Sequence, residues 1–198
     1  MKILKIVGVV LVVLIVVALA YASMQKGAGE LERTVVIERP AEMVYSQVSN
    51  LKNFNNWSPW FTIDPETVYS YEGPESGVGA KMSWKSDHPD VGEGSQWITG
   101  AKENEEVNLT LDFGFAGGYY SDMLLEPTDN GTRVTWVYKY QDLDLMGKLF
   151  TGLMGAEQMV GDSYEKGLQD LKAYVEAQPL PEPEIIEEEM AMDSLVSE

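Results

Sequence analysis

Apolar residues follow three different periods along this chain, and each predicts a different kind of structure. Residues 6–22 are apolar almost without interruption and carry no charge. As a helix this run rises ~25 Å, and Ile3, Leu4 and Ser23 extend it towards the ~30 Å hydrocarbon core of a bilayer. Between residues 67 and 140 the period is two, which predicts strands over 67–71, 78–85, 93–99, 107–113, 119–125 and 133–140. The 107–113 stretch is the cleanest, with Val107, Leu109, Leu111 and Phe113 set against Asn108, Thr110 and Asp112. From Val160 the period becomes helical: Val160, Tyr164, Leu168, Leu171 and Val175 form one stripe. The stripe extends upstream through Met146, Leu149, Phe150, Leu153 and Met154. Gly147, Gly152, Gly155 and Gly161 interrupt it there, so that portion is expected to be looser or kinked.

A further strand is expected over 34–37, ended by Pro40, then a short helix over 41–48 and a second over 51–55. Asn130-Gly131 is the strongest hairpin signal and suits a type I′ turn. Alternation over consecutive strands means a sheet with one wet and one buried face, and short turns make it an antiparallel meander. The expected fold is therefore α+β: a curved, seven-stranded antiparallel sheet gripping a long C-terminal helix, preceded by an N-terminal transmembrane helix. The expected domain covers 31–178, long enough to bury ~70% of its unfolded surface.

Charge and composition narrow the chemistry. The chain has 198 residues and a net charge of −18. That balance opposes binding to phosphate backbones, so nucleic acid is not an expected partner. With no cysteine and a single histidine, His88, there is no disulfide, no thiol nucleophile and no His/Cys metal site; no metal or cofactor is expected. His88 lies in a turn sequence and is read as solvated. Lys2 and Lys5 precede the apolar run, which places the N-terminus in the cytoplasm and the domain outside it. Residues 1–26 are read as a membrane anchor. Ala20-Tyr21-Ala22 also fits a signal-peptide cleavage site, in which case the domain is secreted. Residues 179–198 hold seven acids, no base and Pro179, Pro181 and Pro183, and are expected to be a disordered tail.

Several motifs carry a family resemblance. They are Trp57-Ser58-Pro59-Trp60 with Asp64-Pro65, the run from Tyr69 to Trp84, Val91 to Gln96, Gly131 to Trp136, and Tyr164-Glu165-Lys166-Gly167-Leu168 with Leu171-Lys172. With the order of elements, these resemble the START-like, Bet v 1-like (SRPBCC) proteins of helix-grip fold, in their polyketide cyclase/dehydrase and lipid-transport branch. The resemblance implies a cavity between the sheet's concave face and the long helix. It transfers no catalytic residue, because no catalytic motif of the family maps onto these positions.

The strand residues expected to line such a cavity are Trp84, Trp97, Leu109, Leu111, Phe113, Met123, Trp136 and Tyr138. Met154, Met159, Tyr164 and Leu168 are expected from the helical side, with Trp57 and Trp60 at the rim. Aromatic walls offer large apolar area and methionine offers adaptable contact, which suits a lipid or other hydrophobic small molecule. That reading expects at least ~300 Å³ of apolar cavity. A cyclase-type enzyme would instead need converging polar groups with perturbed pKa values. A protein-interaction module without ligand would need an exposed apolar patch or a docking tail. No particular protein partner is indicated.

Overall fold

The computed structural model describes residues 2–114, 117–153 and 156–181. Helix α1 (Lys2–Met24) is followed by β1 (Gly29–Ile37), α2 (Ala41–Val48), a 3-10 turn (Asn53–Asn56) and α3 (Pro59–Ile63). The meander β2 (Val68–Glu72), β3 (Lys81–Lys85), β4 (Glu93–Lys102), β5 (Glu106–Asp112), β6 (Gly118–Thr128) and β7 (Gly131–Gln141) comes next. Helices α4 (Leu145–Leu153) and α5 (Ala156–Glu176) close the fold. The sheet is antiparallel with order β1-β7-β6-β5-β4-β3-β2, so β1 returns beside the last strand and the expected seven-stranded architecture is present.

Strand alternation decides which side chains meet the helix. On β7, Thr132, Val134, Trp136, Tyr138 and Tyr140 point inward and are buried, and register places Trp136 beside Met123 of β6 and Arg33 of β1. Helix α5 crosses this face and buries Tyr164, Leu168, Leu171 and Val175 against it. Burying each such side chain contributes about 1.5–3 kcal/mol, so this stripe is what holds helix to sheet. The C-terminal end of α5 is tied to β1 by polar contacts: Lys172 Nζ donates to the Val36 carbonyl at 2.7 Å, and Glu176 accepts the Glu38 N–H at 2.8 Å.

Two local expectations change. The Asn-Gly hairpin is not type I′. Asp129 and Asn130 keep negative φ, and the positive angle falls on Gly131 (φ 142°). A Cβ at Gly131 would lie 2.2 Å from the Ile37 carbonyl oxygen, so the β1 end sets this glycine as much as the turn does. The short helix expected over 51–55 is a 3-10 turn, and a separate one-turn helix, α3, starts at Pro59. In the glycine-interrupted stripe, Gly147 and Gly152 lie within α4 and Gly161 within α5. Of the acidic C-terminal segment, residues 182–198 lie outside the described residues.

Helix α1 is long and apolar enough to cross a bilayer, with a mean hydropathy of 3.2 over its best window. Its last turns meet α4: Ala22 is fully buried, and Tyr21 Oη donates to the Gly152 carbonyl at 3.2 Å.

Candidate functional site

The concave face of the sheet and α5 enclose an aromatic cluster. Two polypeptide layers build it. The floor is Trp136 on β7, stacked on Tyr164 of α5 with ring centroids 3.8 Å apart and planes at 15°. The cover is the segment holding the 3-10 turn and α3, which sets Phe54, Trp57 and Trp60 edge-on to Trp136 at 6.4, 5.3 and 6.2 Å. The cover is tied to α2 through Asn53 Nδ2, which donates to the Ser46 carbonyl at 3.1 Å, and to β2 through Asn55 Nδ2, which donates to Tyr71 Oη at 3.5 Å. Neither short helix has a side-chain cap, and Phe54 and Trp60 remain half-buried while Trp57 is buried. Phe61 and Ile63 at its far end are exposed.

Beneath the cover lies a cavity of about 20 Å³, lined by Gln47, Val48, Leu51, Phe54, Trp57, Gln96, Leu109, Ser121, Met123 and Trp136. The expected apolar cavity of ~300 Å³ is therefore not what the described residues enclose. Phe54 and Trp57 occupy the space that a ligand body would need. A larger depression, about 220 Å³, opens at the β2 end of the sheet, lined among others by Leu51, Tyr71, Pro74, Ala80 and Lys81, and it shares Leu51 with the smaller cavity.

Polar groups inside the cluster are few and mostly satisfied by one another. Trp136 Nε1 donates to Ser121 Oγ at 2.7 Å, and Ser121 Oγ shares a hydrogen bond with Tyr164 Oη at 2.9 Å. Burial raises the Tyr164 hydroxyl well above its ordinary pKa, with the Ser121 bond opposing, and raises Tyr138 likewise. Both tyrosines thus stay neutral when folded at a pH where the unfolded chain would ionise them. The folded state then holds more protons than the unfolded one above pH ~10, and stability falls as pH rises from there. The expected slope is roughly 1.4 kcal/mol per pH unit for each of the two. Urea midpoints measured between pH 9 and 11.5 check this, and Tyr164→Phe should flatten the alkaline limb.

The twelve lining positions and two rim positions sort as follows. Leu109, Met123, Trp136, Tyr138, Tyr164 and Leu168 are buried on the enclosed side, and Trp84, Leu111 and Phe113 pack half-buried against that core. Trp57 is buried and Trp60 half-buried, in the cover rather than at an open rim. Two placements are corrected. Trp97 sits on the opposite face of β4, in register with Lys81 and Thr110, because Gln96 and Ile98 hold the inward phase. Met159 is 37% exposed on α5. Met154 lies outside the described residues. His88 accepts the Asp90 N–H in the β3–β4 turn and is not among the cavity-lining residues.

Residues that the hydrophobic pattern passed over are Gln47, Gln96 and Ser121. Gln47 falls between Val44 and Val48 on the buried face of α2, and Gln96 and Ser121 share phase with Ile98 and Met123. Reading phase instead of residue type would have found all three. They add polar groups to the cavity, but among the described residues no carboxylate or histidine lines it, so these supply no group that titrates near neutrality for acid–base work.

The family model for polyketide cyclase / dehydrase and lipid transport proteins matches residues 28–176. Similar solved structures include a protein of Mesorhizobium loti (11% identity, 77% of this chain and 100% of that one, TM-score 0.56) and a protein of Arthrobacter aurescens (16%, 79% and 92%, TM-score 0.55). The crystal structure of Ara h 8.0201 is also similar (13%, 77% and 100%, TM-score 0.50). At these identities the likeness is one of fold. Among curated proteins none matches.

Proposed function

Because the chain belongs to the polyketide cyclase/dehydrase and lipid transport family, we propose that it is a membrane-tethered domain that binds a hydrophobic small molecule or lipid beneath a movable aromatic cover. The observation that carries this is the construction of the cover. Three large rings, Phe54, Trp57 and Trp60, lie over the apolar concave face on two short, uncapped helical turns. A segment so built opens at less cost than the sheet or α5, and opening exposes apolar and aromatic surface suited to a hydrophobic ligand. The charge-free stretch of α1 supports retention in a bilayer, which would supply such a ligand at high local concentration, with the domain on the extracytoplasmic side. An acidic domain between 31 and 178 with a tail beyond it is the accompanying organisation.

The test is a panel of fatty acids, quinones, sterols and polycyclic aromatics added to the full chain in lipid nanodiscs. A ligand at 100 times its Kd should stabilise the domain by about 2.7 kcal/mol, read as a shift in unfolding temperature. No shift from any class sinks the reading. N-terminal sequencing of the same membrane preparation separates an anchor, beginning at Met1, from a cleaved leader.

The filled interior favours one rival, an interaction module without ligand. Its surface would be the β2 edge, where Val68 and Tyr71 are exposed beside the exposed Val78. An edge strand with apolar side chains can pair with another chain. A cyclase-type enzyme has less support, because the cavity brings together amide, indole and hydroxyl groups only.

A further inference from the structure

We propose that α4 is a second membrane contact: together with the end of α1 it seats the domain in the headgroup layer, so that the domain is docked on the lipid surface instead of swinging from its anchor. This rests on the membrane-tethered reading above and adds an orientation to it. Helix α1 runs without a break to Met24. A span that enters the bilayer at Ile6 has risen ~25 Å by Ala22, close to the far side of a hydrocarbon core of ~30 Å. Whatever touches Tyr21 therefore lies at that interface. Helix α4 does so: Tyr21 Oη donates to the Gly152 carbonyl at 3.2 Å. A Cβ at Gly152 would lie 2.8 Å from Gln25 and 3.1 Å from Tyr21, so the two helices approach closely there. A second tie lies just before α4, where the Leu143 N–H donates to the Gly27 carbonyl at 3.2 Å. Two points of attachment fix α4 relative to α1.

The residues of α4 fit that place. Gly147 is buried and faces the sheet, where a Cβ would lie 3.0 Å from Tyr119 Oη. Leu145, Leu149 and Gly152, at i, i+4 and i+7, share the other side of the helix. A surface helix of a soluble domain turns a polar face outward. Here Leu145 and Met146 are exposed and Leu149 is half-buried. From residue 145 to 156 the sequence carries one charge, Lys148, although 23% of the chain is charged. Lys148 lies against Gly27, next to Lys26 in the chain, and two lysines at this junction suit lipid phosphates. Asp142 and Asp144 flank the start of α4, where Asp144 Oδ1 accepts the Gly147 N–H at 2.7 Å. Apolar side chains with neighbouring lysines, held at the depth of Tyr21, have the make-up of an interfacial helix. A protein partner would have to reach the same surface through the headgroups.

The chain has no cysteine, so single cysteines can carry an environment-sensitive fluorophore. The full chain is labelled as M146C, V12C or D129C and placed in nanodiscs whose lipids bear a nitroxide quencher at the headgroup or shallow in the acyl chain. V12C reports on the anchor. Asp129 lies in the β6–β7 turn, about 35 Å along β7 from the α4 end. The label at 146 should be blue-shifted and quenched, at a depth within about 5–10 Å of the headgroup boundary. The label at 129 should show neither effect. Quenching at 12 with none at 146 overturns the docking and leaves the tether standing. A blue shift at 146 without quenching means that a protein surface, a second copy included, covers α4, and it overturns the docking too. No quenching at 12 removes the tether and the docking together.

Discussion

Trp136→Ala should lower the free energy of unfolding by about 4 kcal/mol, the largest loss expected from any single truncation in the domain. The indole is 3% exposed and sits between the cover and α5. It stacks on Tyr164 and meets Phe54, Trp57 and Trp60 edge-on. Its N–H anchors Ser121, which in turn holds the Tyr164 hydroxyl. Truncation removes the transfer energy of the ring, leaves a cavity and unseats that buried pair. Against a total stability of about 5–15 kcal/mol, roughly a quarter to four-fifths is lost. Trp136→Phe keeps most of the ring and drops the hydrogen bond, so its cost should be about 1–2 kcal/mol. Guanidinium unfolding at constant m-value measures both.

Gly167→Leu should also destabilise, by about 2 kcal/mol or more, against the direction that helix propensity gives. In the interior of α5 a leucine would gain roughly 0.8 kcal/mol over glycine on propensity alone. The structure reverses the sign. A Cβ at 167 would lie 2.7 Å from the Trp136 ring and 3.2 Å from Cδ of Pro59. Relieving the tighter contact drives Trp136 against Phe54, Trp57 and Trp60, and relieving the other pushes out Pro59 and with it α3, so both displace the cover. The variant should therefore loosen the cover as well as lower stability, with Gly167→Ala doing less of both. A red shift of tryptophan emission in the folded variant checks the loosening, and unfolding midpoints check the stability.

The fold was readable because its two governing periods are long and regular. Alternation on 107–113 is unbroken, on 133–140 only Val137 departs from it, and the stripe from Tyr164 to Val175 has no competing phase. Helix α3 was not readable, because Pro59–Ile63 is a single turn, too short to show a period. On β4 the pattern misleads outright. A tryptophan faces out and a glutamine faces in, so residue type points to the wrong side of the sheet at Trp97 and Gln96. Which side chains face α5 was partly legible, since Leu109, Met123, Trp136 and Tyr164 lie in phase with clear strands and helix. The volume was not. Whether facing side chains leave space depends on how far Phe54 and Trp57 reach across, and that distance is set by an irregular segment with no sequence signature.

The central claim is that the aromatic cover opens independently of the rest of the domain. Hydrogen–deuterium exchange on the full chain in nanodiscs tests it directly, because the amides of Trp57 and Ser58, both donated to the Phe54 carbonyl, report on the cover. Strands β6 and β7 supply the global reference. The account predicts that peptides over 53–63 exchange at least a hundredfold faster than those of β6 and β7, an opening cheaper by about 2.7 kcal/mol or more. A stabilising ligand should then slow the cover selectively. Exchange over 53–63 as slow as in the central strands would mean that the cover leaves only when the domain unfolds, and the interior would be a closed core rather than a binding site.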